Sequence, residues 1–178
     1  GGSQMNYLFH RVPENIKGKI LYPLNRLKNI YPQAYKKHVK KYKNREYLLN
    51  EKIPYLNCLW NDVLHLTAVD PIKLKETLEE LGFKPPKRKW YKINPKLLTK
   101  KDSIVFLFEK ASKLQPTKEE YKSFKISKLN QYGQIGEKTM RYYKYCLRNN
   151  QRPLLFHYVP HILYRGIIPT KNLEVIIA

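Results

Sequence analysis

Apolar and polar positions alternate in short blocks along most of the chain. Asn6–Val12 is a brief apolar run closed by Pro13 and reads as a strand. Over Pro23 to Asn50 the residues Leu24, Leu27, Ile30, Tyr31, Tyr35, Val39 and Tyr42 fall near helical spacing, with Pro32 as a break or first-turn residue. Leu59 to Thr67 predicts a further strand carrying Asp62 and His65. Asp70-Pro71 opens a helix that Gly82 closes. Lys89–Ile93 and Ser103–Phe108 read as strands, and Thr117 to Glu120 matches a capping box ahead of another helix. Glu137 to Asn149 is helical and rich in Tyr and Arg. Leu154–Tyr158, His161–Ile168 and Leu173–Ile177 complete the chain as three β-rich runs punctuated by Pro160 and Pro169. The order of elements predicts an α+β fold in one domain, with no Gly-, Ser- or Pro-rich linker dividing it.

Composition sharpens the picture. The chain has 178 residues, 42% of them hydrophobic, so a packed core is expected. Lys and Arg number 35 against 14 Asp and Glu, a net charge of +21. Such an excess calls for an anionic partner. No apolar run approaches the length of a membrane span, and no signal peptide is evident. Gly1-Gly2-Ser3-Gln4 reads as a cloning remnant ahead of a native start at Met5. Cys58 and Cys146 form neither a disulfide framework nor a zinc site, which suits a reducing cytoplasm. No GxGxxG or GxxxxGK[ST] occurs, against Rossmann and P-loop chemistry.

Three basic segments interleave cations with aromatic residues. One runs from Lys36 and Lys37 through Lys40 and Lys41 to Arg45. A second spans Lys84 to Lys101 and includes Lys87, Arg88 and Lys89 beside Trp90-Tyr91. The third carries Arg141, Lys144, Arg148 and Arg152. Cations for phosphates and rings for bases suit a single-stranded nucleic acid, DNA or RNA; a solvated helix face is the other reading of such runs.

Candidate chemistry centres on histidine. Asp occurs only at Asp62, Asp70 and Asp102, too few for a two-metal nuclease, and no HExxH or GxSxG is present. No metal is expected. Leu8-Phe9-His10-Arg11-Val12-Pro13 recurs as Leu155-Phe156-His157-Tyr158-Val159-Pro160, identical at five of six positions. If the two segments were neighbouring strands, His10 and His157 could share a face. They would then serve as an acid/base pair for metal-independent RNA cleavage, with Arg152 or Lys144 as the cation. A plain nucleic-acid-binding module, with the histidines serving packing, is a third reading.

The element order also resembles the ADP-ribosyltransferase-like fold, in particular the DarT-type DNA ADP-ribosyltransferases. The likeness rests on Leu8-Phe9-His10 in a first strand and on Arg45 ahead of Ile53-Pro54 and the strand Asp62–Thr67. A middle hairpin corresponds to Trp90–Ile93 and Ser103–Phe108. Near the end come Pro160-His161-Ile162-Leu163-Tyr164, then Ile168-Pro169 and a closing apolar strand. The resemblance implies a central split sheet, antiparallel or mixed, flanked by helices, and a toxin-like transfer of ADP-ribose from NAD to nucleic acid. It implies that His10 and Tyr22 hold NAD and that Arg45 contacts phosphate or ribose. His161 stands where the family carries its catalytic glutamate, a change from permanent negative charge to a titratable base.

Overall fold

The computed structural model describes residues 6–14, 16, 18–111 and 114–178. The expected cloning remnant and start at Met5 lie outside them. Two antiparallel sheets carry the fold. Strand β1 (Leu8–Arg11) pairs with β6 (Lys89–Ile93), and β6 pairs with β11 (Glu174–Ile177). The larger sheet has the order β5 (Leu64–Leu66), β9 (His161–Tyr164), β7 (Ser103–Phe106) and β8 (Tyr121–Ser123). Short ribbons pair β2 (Ile20–Leu21) with β10 (Ile168–Pro169), and β3 (Lys52–Ile53) with β4 (Cys58–Leu59). The result is a single mixed α and β domain built on antiparallel sheets.

The two sheets touch at one bridge, where Phe9 and Thr67 exchange backbone hydrogen bonds of 2.8 and 3.1 Å. Beyond it β1 and β5 part. Because hydrogen-bonding direction alternates along an antiparallel strand, the backbone groups of Arg11 and His65 face the gap. The central strands β7 and β9 are short and buried on both faces, and period-two alternation sends their side chains into different cores. Val105, Ile162 and Tyr164 join one cluster with Leu8 and Ile93; Ile104, Phe106 and Leu163 join another with Trp60 and Tyr121. His161 shares parity with Leu163 and so lies on the Trp60 side. His65, paired with Leu163, lies there too.

Local chemistry explains the helices. In α3 (Pro71–Leu81) the Asp70 carboxylate accepts from the Ile72 N–H at 2.9 Å, Pro71 occupies the first turn, and Gly82 closes the helix at φ 107°. α4 (Leu129–Tyr132) is a single turn. α5 (Glu137–Arg148) buries Thr139, Tyr143 and Cys146 and turns its basic residues outward.

Four expectations need correction. The long helix over Pro23 to Asn50 is α1 (Leu24–Ile30) and α2 (Pro32–Val39) followed by 3-10 turns at Lys40–Tyr42 and Glu46–Asn50. Tyr31 is forced out of helical geometry by Pro32, and Asn44 takes a positive φ of 68°. The expected strand Leu59 to Thr67 is interrupted by a 3-10 turn at Trp60–Asp62, where the Asp62 carboxylate accepts from the Leu59 N–H at 2.7 Å. The Thr117–Glu120 capping box exists, but its turn leads into β8, because Tyr121 pairs at once with Phe106.

Leu154–Tyr158 is a run of turns rather than a strand, with Tyr158 at φ 63°. Its backbone is satisfied by α5. Tyr142 Oη accepts from the Leu154 N–H at 2.8 Å, Thr139 Oγ1 donates to the His157 carbonyl at 2.8 Å, and the Tyr143 hydroxyl donates to the Leu155 carbonyl. The echoed hexapeptides are therefore not paired strands.

Candidate functional site

A cleft of about 510 Å³ opens where β1 and β5 part. β1 and the residues after it supply one wall with His10 and Arg11. The turn before β5 supplies Asn61, and the strands supply His65 and His161. Tyr22, Lys37, His38 and Lys41 from the α1–α2 region close the far side. A smaller cavity of about 200 Å³ adjoins it, lined by Tyr47, Trp60, Phe106, Phe108, Arg45 and Lys110 among others. Lys41, His65 and His161 border both.

The histidines are held neutral. His10 Nδ1 lies 2.6 Å from the Arg11 carbonyl, which can only accept, so the proton is on Nδ1 and Nε2 keeps its lone pair. Burial brings its pKa down to about 4, with Lys41 and Arg11 adding repulsion. His65 Nε2 donates to the Trp60 carbonyl at 2.7 Å; burial, then His161 and Lys41, hold its pKa well below the usual imidazole range. The His65 and His161 rings are 6.3 Å apart and edge to face, the diagonal spacing of neighbouring antiparallel strands. His161 is tied to the Phe156 backbone, and burial lowers its pKa to about 4.

Charge in the cleft is mostly positive, with Glu14 the single carboxylate among its described lining residues. The Lys41 pKa is lowered by burial and then by Arg45 and Arg11. The residue as a whole is nonetheless exposed to solvent. Lys41 and Arg45 lie 5.4 and 5.7 Å from the Tyr42 ring centroid, and Arg45 Nη2 donates to the Lys41 carbonyl at 2.9 Å. Among the described residues neither cation is ion-paired to a carboxylate; Lys37 has Glu14 at 3.4 Å. At the rim, Arg11 and Arg152 both repel the Arg88 guanidinium.

Three lining residues hold buried polar atoms without a partner: Asn61 Nδ2, Trp90 Nε1 and His161 Nε2. Asn61 is 2% exposed and its Oδ1 accepts from the Tyr42 hydroxyl at 2.7 Å, so the amide is fixed with its other end free. Buried polar atoms left without a partner are uncommon in folded proteins.

No protein-family model, curated protein or solved structure matches the chain. The site must be understood from its own residues.

Of the residues singled out from sequence, His10, Tyr22, Lys37, Lys41 and His161 line the cleft, and Arg45 lines the smaller cavity. His157 borders neither. It is buried, 7% exposed, with ring centroids of Tyr142 and Tyr158 each at 4.2 Å and Phe108 at 5.3 Å. The structure thus gives His10 and His157 no shared cavity. Lys36 and Lys40 lie on exposed surface near the cleft wall, and Lys87, Arg88 and Lys89 lead into β6. Arg141, Lys144 and Arg148 share the exposed face of α5, with Arg152 beyond it. Asn61, His38 and His65 were not anticipated as lining residues; only their polarity beside apolar neighbours could have marked Asn61 and His65. Among the described residues no group of three or more His, Cys, Asp and Glu could hold a metal ion, and no helix is long and apolar enough to cross a membrane.

Proposed function

We propose that the cleft binds NAD and that the protein is an ADP-ribosyltransferase-like enzyme acting on nucleic acid. One observation carries this reading: a cationic cleft lies in the gap between two antiparallel sheets, and its lining residues Asn61, Trp90 and His161 each hold a buried polar atom without a partner. A ligand rich in acceptors would suit the Asn61 and Trp90 donors, while His161 Nε2 keeps a lone pair. The size lies within the roughly 300–1,000 Å³ of ordinary ligand sites. NAD fits the residue set: a pyrophosphate for Lys41 and Arg11, and a ring face from Tyr22. His10 Nε2 is an acceptor suited to a carboxamide or ribose hydroxyl. The split between the sheets agrees with the resemblance noted from the sequence.

His161 takes the place of the family's glutamate in this reading. As a neutral imidazole with Nε2 free, it can accept a proton from an attacking group. It supplies no negative charge to an oxocarbenium-like centre, so the chemistry leans on proton removal rather than charge stabilisation.

The test is incubation with NAD labelled in the adenylate, together with a mixed pool of DNA, RNA and protein. Label transferred to nucleic acid with nicotinamide released is the expected result. His10→Gln and His161→Gln should stay folded and lose about 10²–10⁴ in rate. RNA cleavage without NAD, or retention of nucleic acid with no transfer, would replace this reading by a nuclease or a binding module.

A further inference from the structure

The sheet of β1, β6 and β11 has two edges. β1 borders the cleft and bridges to β5, whereas β11 pairs with β6 alone. Among the described residues no backbone hydrogen bond is made to the outer side of β11. Just past the strand, the Ala178 N–H donates to the Arg88 carbonyl at 2.8 Å and the Arg88 N–H donates to the Ala178 carbonyl at 2.6 Å. That pair fixes the alternation. The backbone groups of Glu174 and Ile176 point to β6, and those of Val175 and Ile177 point outward. Natural sheet edges are guarded by Lys, Pro, a bulge or a covering segment. Glu174–Ile177 contains neither Lys nor Pro, and its register with β6 runs without a bulge. The side chains of the two outward-bonding residues are exposed as well, Val175 at 46% and Ile177 at 64%.

We propose that β11 pairs antiparallel with β11 of a second copy of this chain, about a two-fold axis at Ile176. Val175 of each copy then stands opposite Ile177 of the other, and each such pair exchanges both of its N–H···O bonds. The exposed Val175 and Ile177 side chains cover one another on one face. Ile176 meets Ile176 of the second copy on the other face, where Phe9, Trp90 and Ala178 already cluster. Charge favours this occupant over a polyanion. Residues 173–178 hold no cation in a chain of net charge +21, so repulsion between copies is least at this edge and a phosphate backbone finds nothing there to neutralise. Glu174, 3.7 Å from Lys92 of its own sheet, falls opposite Ala178 of the second copy, whose strand neighbour is Arg88. The paired strands are short, so the contact stays below the roughly 1,000 Å² of a stable interface, and the dissociation constant should be about 10–100 µM. β11 lies on the far side of β6 from β1 and the cleft, so pairing here is independent of the ligand proposed for the cleft.

Sedimentation equilibrium of the nuclease-treated chain, from about 5 µM to about 500 µM, should show monomers giving way to dimers. Over the same range the Val175 and Ile177 amides should exchange more slowly with solvent, while the Ile176 amide, already donated to β6, should not change. Both copies are strongly positive, so the dimer should tighten between about 0.05 M and about 0.5 M salt, whereas copies bridged by residual nucleic acid would come apart. Ile177→Lys should weaken association about tenfold or more. Ile176→Cys should cross-link to itself under mild oxidation, since the axis places like residues at disulfide distance; the unsubstituted chain, with Cys58 and Cys146, should not. A chain that stays monomeric throughout overturns the proposal, as does a dimer that loosens with salt or is unchanged by Ile177→Lys. Slow exchange at Val175 and Ile177 in a monomer would mean that another segment of the chain covers the edge, and overturns it too. Should Ile177→Lys fail to fold, Ile176→Cys decides: no cross-link at concentrations where the unsubstituted chain is dimeric would sink the pairing.

Discussion

Acidification should destabilise this protein well above the pH at which carboxylates titrate. His10 and His161 are held down to about 4 from an ordinary 6.5, and His65 is also well below that value. In the unfolded chain all three take up protons near 6.5. Between that value and the folded one, the unfolded state binds more protons. The stability these rings contribute is therefore complete above the unfolded value and is lost as pH falls through the window toward the folded one. At about pH 5 each ring lies roughly 1.5 units below its unfolded value, and at about 1.4 kcal/mol per unit the loss is about 2 kcal/mol. For His10 and His161 together this is about 4 kcal/mol, which water reaching them through the cleft reduces to about 2 kcal/mol, and His65 acts in the same direction. That is a large part of a typical domain's total stability. Urea unfolding followed by circular dichroism from about pH 7.5 to about pH 5, at fixed ionic strength, measures it. Midpoints should fall steadily over that range, and His161→Gln should flatten the slope by about one proton. A midpoint that stays constant across the range would refute the electrostatic account of the cleft.

Three further outcomes are expected. A Cβ at Gly133 would fall 2.6 Å from the Ala68 carbonyl oxygen, so Gly133→Ala should lose about 1–3 kcal/mol, read as a lowered thermal midpoint. Leu163 is fully buried in β9 opposite His65, and Leu163→Ala should lose about 2–5 kcal/mol in chemical unfolding. With a net charge of +21, binding to a generic single-stranded oligonucleotide should weaken steeply with salt, and Lys40→Glu with Lys41→Glu should lower affinity for all sequences alike; a flat salt response would remove nucleic acid from the proposed function.

Elements whose ends carry their own chemistry were legible in the sequence. α3 is bounded by Asp70-Pro71 and Gly82, and the helix observed there runs from Pro71 to Leu81. The strands β1, β6, β7 and β9 fall within the apolar runs that suggested them. Leu154–Tyr158 misled because an apolar run says only that side chains are buried. Whether its backbone pairs with a strand or with Thr139, Tyr142 and Tyr143 depends on where α5 lies, which no local pattern records. The same limit hid the site. His10, His65 and His161 are far apart in sequence and sit among residues typical of core strands. They meet because β5 pairs with β9 while β1 touches β5 at a single bridge. Asn61 gave less warning still, since its role depends on a 3-10 turn inside what reads as one strand.

The direction of the charge perturbations in the cleft favours the anionic ligand proposed for it. Each resolved shift among its basic groups, at His10, His38, Lys41, His65 and His161, is downward. Burial is the first cause at each, and neighbouring cations add to it. At His38 the Glu14 carboxylate pulls the other way and is outweighed. A site for a cation would show the reverse, with carboxylates drawn together and bases raised by them. Unpaired Lys41 and Arg45 repel one another and the imidazoles, a strain that the tight packing around Tyr42 holds in place. An anion entering the cleft relieves it twice, by attraction to the cations and by making proton uptake at the histidines easier. The unpartnered amide of Asn61 and indole N–H of Trp90 act in the same sense, since both can only donate. Charge and hydrogen-bonding capacity therefore support the anionic, acceptor-rich ligand proposed above, and both arise from residues of the two sheets brought together where β1 leaves β5.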